Sequence, residues 1–331
     1  MTLQGLQQRM KGMTPKWMLL LVEMLQYWMR LCKYNASFST DDDMQKMQYT
    51  LLRENHVIEK GMSMRCTKKG FGQEKVKALI ARLEKYNRLY GKQDAEFLIY
   101  PLSTIKSYIK YQKKDNIDMT DIEARFCILC SAASVDMSSL SVPAGIVEVE
   151  SDMLRKDAAG TFSTLLYSRH SIRYFTDSIP SKLTIEKALE LAQRTPSACN
   201  RQAWHTHVYT GEDCHQLLLM QGGCMGFYND IHCCIVVTAD MKGFLHYEPF
   251  QCYVDGGLYA QNLINALHYL GLGTIPLSFG FYRDKLKKIQ GRFSIPDNEA
   301  LIVVIGVGEM TDKVKIAEST RKSVKVTNTF H

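Results

Sequence analysis

Arg169-His170-Ser171-Ile172-Arg173 and, one helix-length segment later, Pro196-Ser197-Ala198-Cys199-Asn200-Arg201-Gln202-Ala203-Trp204 are the stretches that decide how this chain folds. The first packs two guanidinium forks and a hydroxyl into one short span. Arginine forks make bidentate, charge-assisted hydrogen bonds to a phosphate monoester. On a helix, the spacing of Arg169 and Arg173 would put both on one face. The plainer reading of such a stretch in isolation is a solvated basic helix end. In the second stretch Ser197, Asn200 and Gln202 follow a helix stop, because the residue before Pro196 avoids helical geometry. Side-chain amides there can pair with the edge of a heteroaromatic ring, which offers donors and acceptors. Ser and Asn can equally close a turn on their own backbone.

Around these stretches the pattern mixes helices and strands. Thr184 can cap a helix running to about Arg194, with Ile185, Ala188, Leu189, Leu191 and Ala192 on its buried side. His232 to Thr238 and Leu301 to Val307 are short β-branched runs, read as buried strands. Asp255 to Leu270 reads as a helix with Leu263, Ile264, Leu267 and Leu270 on one face, stopped by Gly271. The second half is therefore expected to be α+β, a mixed β-sheet flanked by helices. Residues up to about 135 read as all-helical. Val76, Leu79, Ile80, Leu83 and Tyr86 recur at helical spacing, and Ile122, Phe126, Ile128 and Leu129 do the same. Ser134 to Asp152 is Ser-rich, carries Pro143 and Gly145, and reads as a linker. Two domains follow, 1–150 helical and 151–331 α+β.

With 331 residues the chain can bury a large core. A net charge of +7, spread along the chain, suits anionic ligands. No zinc-finger spacing, RNA-binding aromatic pattern or long basic run is present, so nucleic acid is not an expected partner. Ten cysteines lie scattered without a framework, as reduced thiols do in a cytoplasmic protein. Cys127 and Cys130 form a lone CxxC pair, too few ligands for zinc and better read as two core residues one turn apart. His205 and His207 alternate along a stretch read as a strand and are taken as strand-surface residues rather than a metal pair, so no metal is expected. Trp17 to Leu31 is strongly apolar, but Glu23, Gln26 and Arg30 interrupt it, leaving it too short and too polar to span a bilayer. No small-residue cleavage site follows it. A buried helix is the first reading. A membrane-surface helix is the alternative, favoured by Trp17, Trp28 and the flanking Arg9, Lys11, Lys16, Arg30 and Lys33. Seventeen methionines, many in the first half, suit an adaptable packing surface.

The order of these segments resembles the nitroreductase family. Its phosphate segment matches Arg169, Ser171, Arg173 and Phe175. Its Pro-Ser-x-x-Asn-x-Gln segment matches Ala192, Pro196, Ser197, Asn200, Gln202 and Trp204. A later helix matches Asp255, Gly257, Gln261, Asn262 and Leu263 and ends in Gly271-Leu272-Gly273-Thr274. Gly306 and Arg321 close the pattern, which spans about Phe162 to Arg321. Ala203 departs from the family's usual proline, and Pro276-Leu277-Ser278 stands where many members carry Cys-Trp or a similar pair. The resemblance implies FMN held between two subunits of a homodimer. Arg169, His170, Ser171 and Arg321, with Lys322 assisting, would serve the phosphate and ribityl chain. Arg173 would lie near the ring's N1 and C2 carbonyl, and Asn200 and Gln202 at its pyrimidine edge. Pro196, Ser197 and Ala198 would border the ring, and Pro276, Leu277 and Ser278 would lie near N5. No protein side chain is then needed as a catalytic nucleophile or base, since the flavin carries the chemistry.

Gly271-Leu272-Gly273 and Gly306-Val307-Gly308 each lack the third glycine of a dinucleotide fold. This favours a ping-pong scheme in which NAD(P)H delivers hydride through flavin N5 to a small electron-poor acceptor. In the first half, Arg53 to Met62 resembles a segment of longer nitroreductase-like proteins associated with bacterial surface polysaccharide synthesis. His56, Glu59 and Lys60 lie on about one helical turn and are substrate-side candidates. The plainer reading is a helix end capped by Gly61. The rival to an oxidoreductase is a flavin-binding scaffold with little turnover, docking a biosynthetic complex or a membrane surface through its helical half.

Overall fold

The computed structural model describes residues 15–35, 37, 43–65, 68–140 and 143–331; Arg9 and Lys11 lie outside the described residues. Among the described residues the elements begin, in chain order, with five helices: α1 (Lys16–Tyr34), α2 (Met44–Met62), α3 (Gln73–Tyr90), α4 (Ala95–Lys114) and α5 (Thr120–Ala132). Strand β1 (Ile146–Glu150) precedes α6 (Ser151–Ala158), α7 (Phe162–Ser168) and α8 (Lys182–Ala192). Then come β2 (Trp204–Thr210), α9 (Gly211–Gln221), β3 (Cys233–Asp240), α10 (Gln251–Tyr269) and β4 (Leu272–Ser278). The chain closes with α11 (Arg283–Arg292), β5 (Glu299–Glu309), β6 (Lys313–Ala317) and α12 (Val324–Thr327). The fold is α+β with a helical N-terminal region. Two compact units divide it: Met1–Phe38 with Ser151–Asp312, and Ser39–Glu150 with Lys313–His331.

The helical unit is built on the periodic residues of α3, whose Val76, Leu79, Ile80, Leu83 and Tyr86 are all fully buried. They pack with Leu51 and Met62 of α2, Leu98, Leu102 and Ile105 of α4, and Ile122 and Phe126 of α5. Two features differ from the sequence reading. The Ser134–Asp152 stretch contains β1, which pairs antiparallel with β6 from Ile146↔Ala317 to Glu150↔Lys313. The strand was illegible because its partner lies more than a hundred residues away and its two faces are only partly buried. Gly61 is not a cap either, since α2 runs on to Met62 and ends at Ser63. A Cβ on Gly61 would meet the Phe71 ring at 2.6 Å, so this glycine admits a close ring contact.

The second unit is a four-stranded sheet in the order β2-β3-β5-β4, antiparallel throughout its named strands. Its parallel component is the bridge of Ser171 to Thr274, alongside edge strand β4. Central strand β3 is buried along nearly its whole length, as its β-branched run requires. Pro276 sits on the edge strand, where a missing N–H is tolerated. Helix α10 packs Tyr259, Leu263, Ile264 and Leu267 onto the sheet with Ile185, Ala188 and Ala192 of α8. Ser181, not Thr184, caps α8; its side chain accepts from the Thr184 N–H at 3.1 Å. Gly271 ends the α10 turn at φ +82°. Helix α1 buries none of its residues, and Tyr27 meets Phe250 at a ring separation of 4.4 Å. No described helix is long and apolar enough to cross a membrane.

Candidate functional site

Arg169 ends α7, and the residues after it run extended rather than helical. The Arg169 to Phe175 stretch lies along β4. The Ile172 N–H donates to the Thr274 carbonyl at 2.9 Å, and Phe175 bridges to Met310. The shared helix face expected of Arg169 and Arg173 is therefore replaced by alternation along an extended segment, which again puts odd-numbered residues on one side. The stretch is extended because the unpaired edge of β4 offers backbone partners that a helix end lacks. Arg169, His170 and Ser171 are half-buried, and Arg173 is buried at 4% exposure.

Behind this stretch the Ser168 hydroxyl meets His268 Nε2 at 2.9 Å, and both residues are buried. Burial, with help from the cations Arg169 and His170, pushes the His268 imidazole down to about 4. A neutral His268 thus holds the residue that launches the Arg169 to Arg173 segment.

The second stretch forms a strained loop. Cys199, Asn200 and Gln202 have φ of 52°, 55° and 51°, left-handed values that residues other than glycine adopt at a cost. Three ties hold the loop. The Ala198 N–H donates to the Asp255 carboxylate at 3.2 and 3.3 Å, and the Gln202 N–H donates to Ser197 Oγ at 3.0 Å. Arg201 makes a bidentate pair with Glu248 at 2.7 and 2.9 Å and lies over the Phe244 ring. The Arg201 guanidinium and the Leu245 N–H hold the Glu248 carboxyl down to about 2. Within the loop, Gln202 Nε2 donates to Asn200 Oδ1 at 3.1 Å, and both side chains are exposed. Local bonds of Ser197 and Asn200, as in a turn closed on itself, thus combine with backbone strain, a charged tether and two exposed amides.

Residues 166–309 match the family model described as Nitroreductase family. This segment is a nitroreductase-family domain. An inferred NADH dehydrogenase/NAD(P)H nitroreductase from Archaeoglobus fulgidus is 28% identical over 156 residues, 47% of this chain and 88% of that protein. One of the same name from Methanothermobacter thermautotrophicus is 29% identical over 142 residues, 43% of this chain and 73% of its own length. Among solved structures, the nitroreductase family protein from Streptococcus pneumoniae TIGR4 aligns with a TM-score of 0.43 at 22% identity, covering 52% of this chain and 100% of that one.

Within the nitroreductase domain, the structure sets Ser171 against Thr274 of β4. Three and four residues further along that strand come Leu277 and Ser278. Pro276 and Ser278 are exposed, Leu277 is buried, and the Ser278 carbonyl accepts from Gln221 Nε2 at 3.0 Å. The Pro196 to Gln202 loop is tied to α10 through Asp255. Arg321 belongs to the helical unit, where its guanidinium donates to the Ser319 carbonyl; Lys322 lies over Tyr49 at 4.6 Å. Of the first-half trio, His56 is exposed, Lys60 half-buried and Glu59 buried. Glu59 accepts the Gly145 N–H at 3.1 Å, and burial pushes its carboxyl up. On β2, His205 is exposed while His207 meets Glu299 at 2.8 Å.

Sequence reasoning passed over Asp255, Glu248 and His268 as functional groups. Asp255 carried a signal: an acidic residue on the apolar stripe of α10, fully buried here beside Cys252 and Tyr259. A carboxylate in that position needs a partner. Nothing local in the sequence points Glu248 to Arg201.

Proposed function

We propose that the domain is an FMN-dependent NAD(P)H oxidoreductase in which reductant and a small electron-poor acceptor use one open site in turn. The observation that carries this is the strained, tethered loop from Ser197 to Gln202 with its exposed amides. The donor set fits the cofactor. The Arg169 guanidinium, His170 and the Ser171 hydroxyl suit a phosphate monoester and its polyol chain. Asn200 and Gln202 suit the pyrimidine edge of a flavin, which pairs with amides in both senses. Pro196, Ser197, Ala198 and the Pro276 to Ser278 stretch supply walls and backbone groups. FMN, when bound, supplies the hydride-accepting and hydride-donating centre. Arg173 contributes a buried, permanently charged guanidinium, which favours an electron-rich partner. The phosphate role of Arg321 stands on the sequence pattern alone.

A homodimer is part of the proposal. Helix α10 buries one face in the sheet and leaves Tyr253, Val254 and Leu258 about half exposed on another. An apolar stripe on a central helix suits an isologous partner. The test is equilibrium FMN binding to wild type and to Asn200→Ala/Gln202→Ala. The proposal expects stoichiometric flavin in the first and weakened binding in the second, both folded.

One observation favours a second reading, a flavin-binding scaffold with little turnover. Helix α1 exposes Trp17, Leu21, Leu25 and Trp28 and buries nothing, as a docking element would. Flavin that NADH and NADPH both fail to reduce would favour it.

A further inference from the structure

We infer that the helical unit carries a binding site for a phosphorylated small molecule, in the cavity between α4 and the β1–β6 ribbon. This cavity measures about 530 Å³, within the range of small-molecule pockets. It lies outside the nitroreductase domain and does not depend on the flavin assignment.

Its α4 wall is the stripe Ser107, Lys110, Tyr111 and Lys114, spaced as one helical face. A helix face turned towards a strand ribbon is ordinarily apolar. Here the apolar stripe of α4, with Leu98, Leu102, Ile105 and Ile109, is spent on the helical core. The stripe left over carries two ammonium groups, a phenol and a hydroxyl. The opposite wall adds Lys315 of β6, which stands across from Glu148 of β1 in the strand register.

Charge points to an anion. Among the described residues, Lys110, Lys114 and Lys315 have no carboxylate within ion-pair distance, whereas their neighbours Lys113 and Lys313 hold Glu123 at 2.6 Å and Glu150 at 3.0 Å. The carboxylates in the lining are Asp115 and Glu148, so cations exceed anions there. An adjoining groove on α4 adds Lys106, while its Lys113 is neutralised by Glu123. Converging ammonium groups on flexible stems recognise a phosphate as point charges, and Tyr111 offers a face for the organic part.

The walls are fixed rather than loosely apposed. Ser107 Oγ donates to the Ala144 carbonyl at 2.9 Å. Next to it Gly145 has φ +88°, and a Cβ there would lie 2.7 Å from Ser107 Cβ. Buried Glu59 accepts the Gly145 N–H from the other side. Helix and ribbon therefore meet at one set distance, and the gap beyond is part of the fold.

The test is calorimetric titration of the full chain, as purified, with inorganic pyrophosphate and with glucose 6-phosphate at low ionic strength. Both probes should bind saturably at one site per chain. Lys110→Gln/Lys114→Gln should weaken both by at least about tenfold, and Glu148→Gln should tighten both. Arg169→Ala should leave both unchanged, which separates this cavity from the proposed flavin site. Opposite signs for the Lys and Glu148 variants cannot arise from misfolding. Absence of saturable binding, equal binding by the double variant, or pyrophosphate binding without glucose 6-phosphate binding would each overturn the inference.

Discussion

Replacing Asp255 by alanine should cost the nitroreductase domain more in flavin binding than its few contacts suggest. The carboxylate is fully buried, accepts the Ala198 N–H and accepts Gln251 Nε2 at 2.8 Å. Hydrogen bonds to a charged acceptor contribute about 1.5–3 kcal/mol each. Two donors lose their partner, but water can reach the half-buried Ala198, so a global loss of about 2–4 kcal/mol follows. The loop suffers separately. Cys199, Asn200 and Gln202 hold left-handed backbone that costs on the order of 1 kcal/mol each, and the Asp255 tether opposes its relaxation. Once relaxed, the loop must be rebuilt at each binding event, which weakens FMN by about 10- to 100-fold. Asp255→Asn keeps the shape and one acceptor and should fall between wild type and alanine. Urea unfolding followed by circular dichroism reads the first quantity, and quenching of FMN fluorescence reads the second. A folded Asp255→Ala protein that binds FMN within about twofold of wild type would refute the idea that this tether prepares the loop.

Arg169→Ala should weaken FMN by on the order of 10- to 100-fold while leaving the unfolding midpoint nearly unchanged, because it removes one charge-assisted contact to phosphate; retained stoichiometric flavin after dialysis would contradict it. His268 has its pKa lowered to about 4 in the folded chain from 6.5. The unfolded chain therefore takes up the proton first, and stability present above pH 6.5 is lost as pH falls towards 4, by up to about 1.4 kcal/mol per unit. His268→Gln should flatten that part of the curve, as urea midpoints at stepped pH will show. Glu59 has the opposite sign: its raised pKa means stability present below about 4.5 is lost as pH rises through the folded value. Glu59→Gln should therefore gain stability over wild type by about 1 kcal/mol near neutrality and little at pH 4.5, measured by thermal unfolding; a gap that shrinks as pH rises would count against the burial argument.

The features legible in the sequence were those written in local pattern. The α3 periodicity, the β-branched runs of β3 and β5, and the Gly271 stop all stand as expected, because one element's own residues specify them. Strand β1 escaped because its partner β6 lies in a distant part of the chain. The Arg169 to Arg173 stretch was read on helical spacing, and its extended form was not legible because its conformation is dictated by β4, not by its own residues. The Asn200 and Gln202 positions could be singled out, but the strain they carry could not, since it is maintained by Asp255 and by the Arg201–Glu248 pair across the fold. Glu59 was singled out by the resemblance of its segment together with helical spacing; its inward packing onto Gly145 was not legible, because Gly145 lies far along the chain.

The most direct measurement is the visible absorption spectrum of the purified full chain, before and after anaerobic addition of NADH or NADPH. An FMN-dependent oxidoreductase shows flavin bands at one flavin per chain that bleach with one of the nicotinamides and return with an electron-poor acceptor. Flavin bands that persist with both would contradict the oxidoreductase and leave the scaffold. A colourless protein that FMN cannot reconstitute would contradict the flavin site itself.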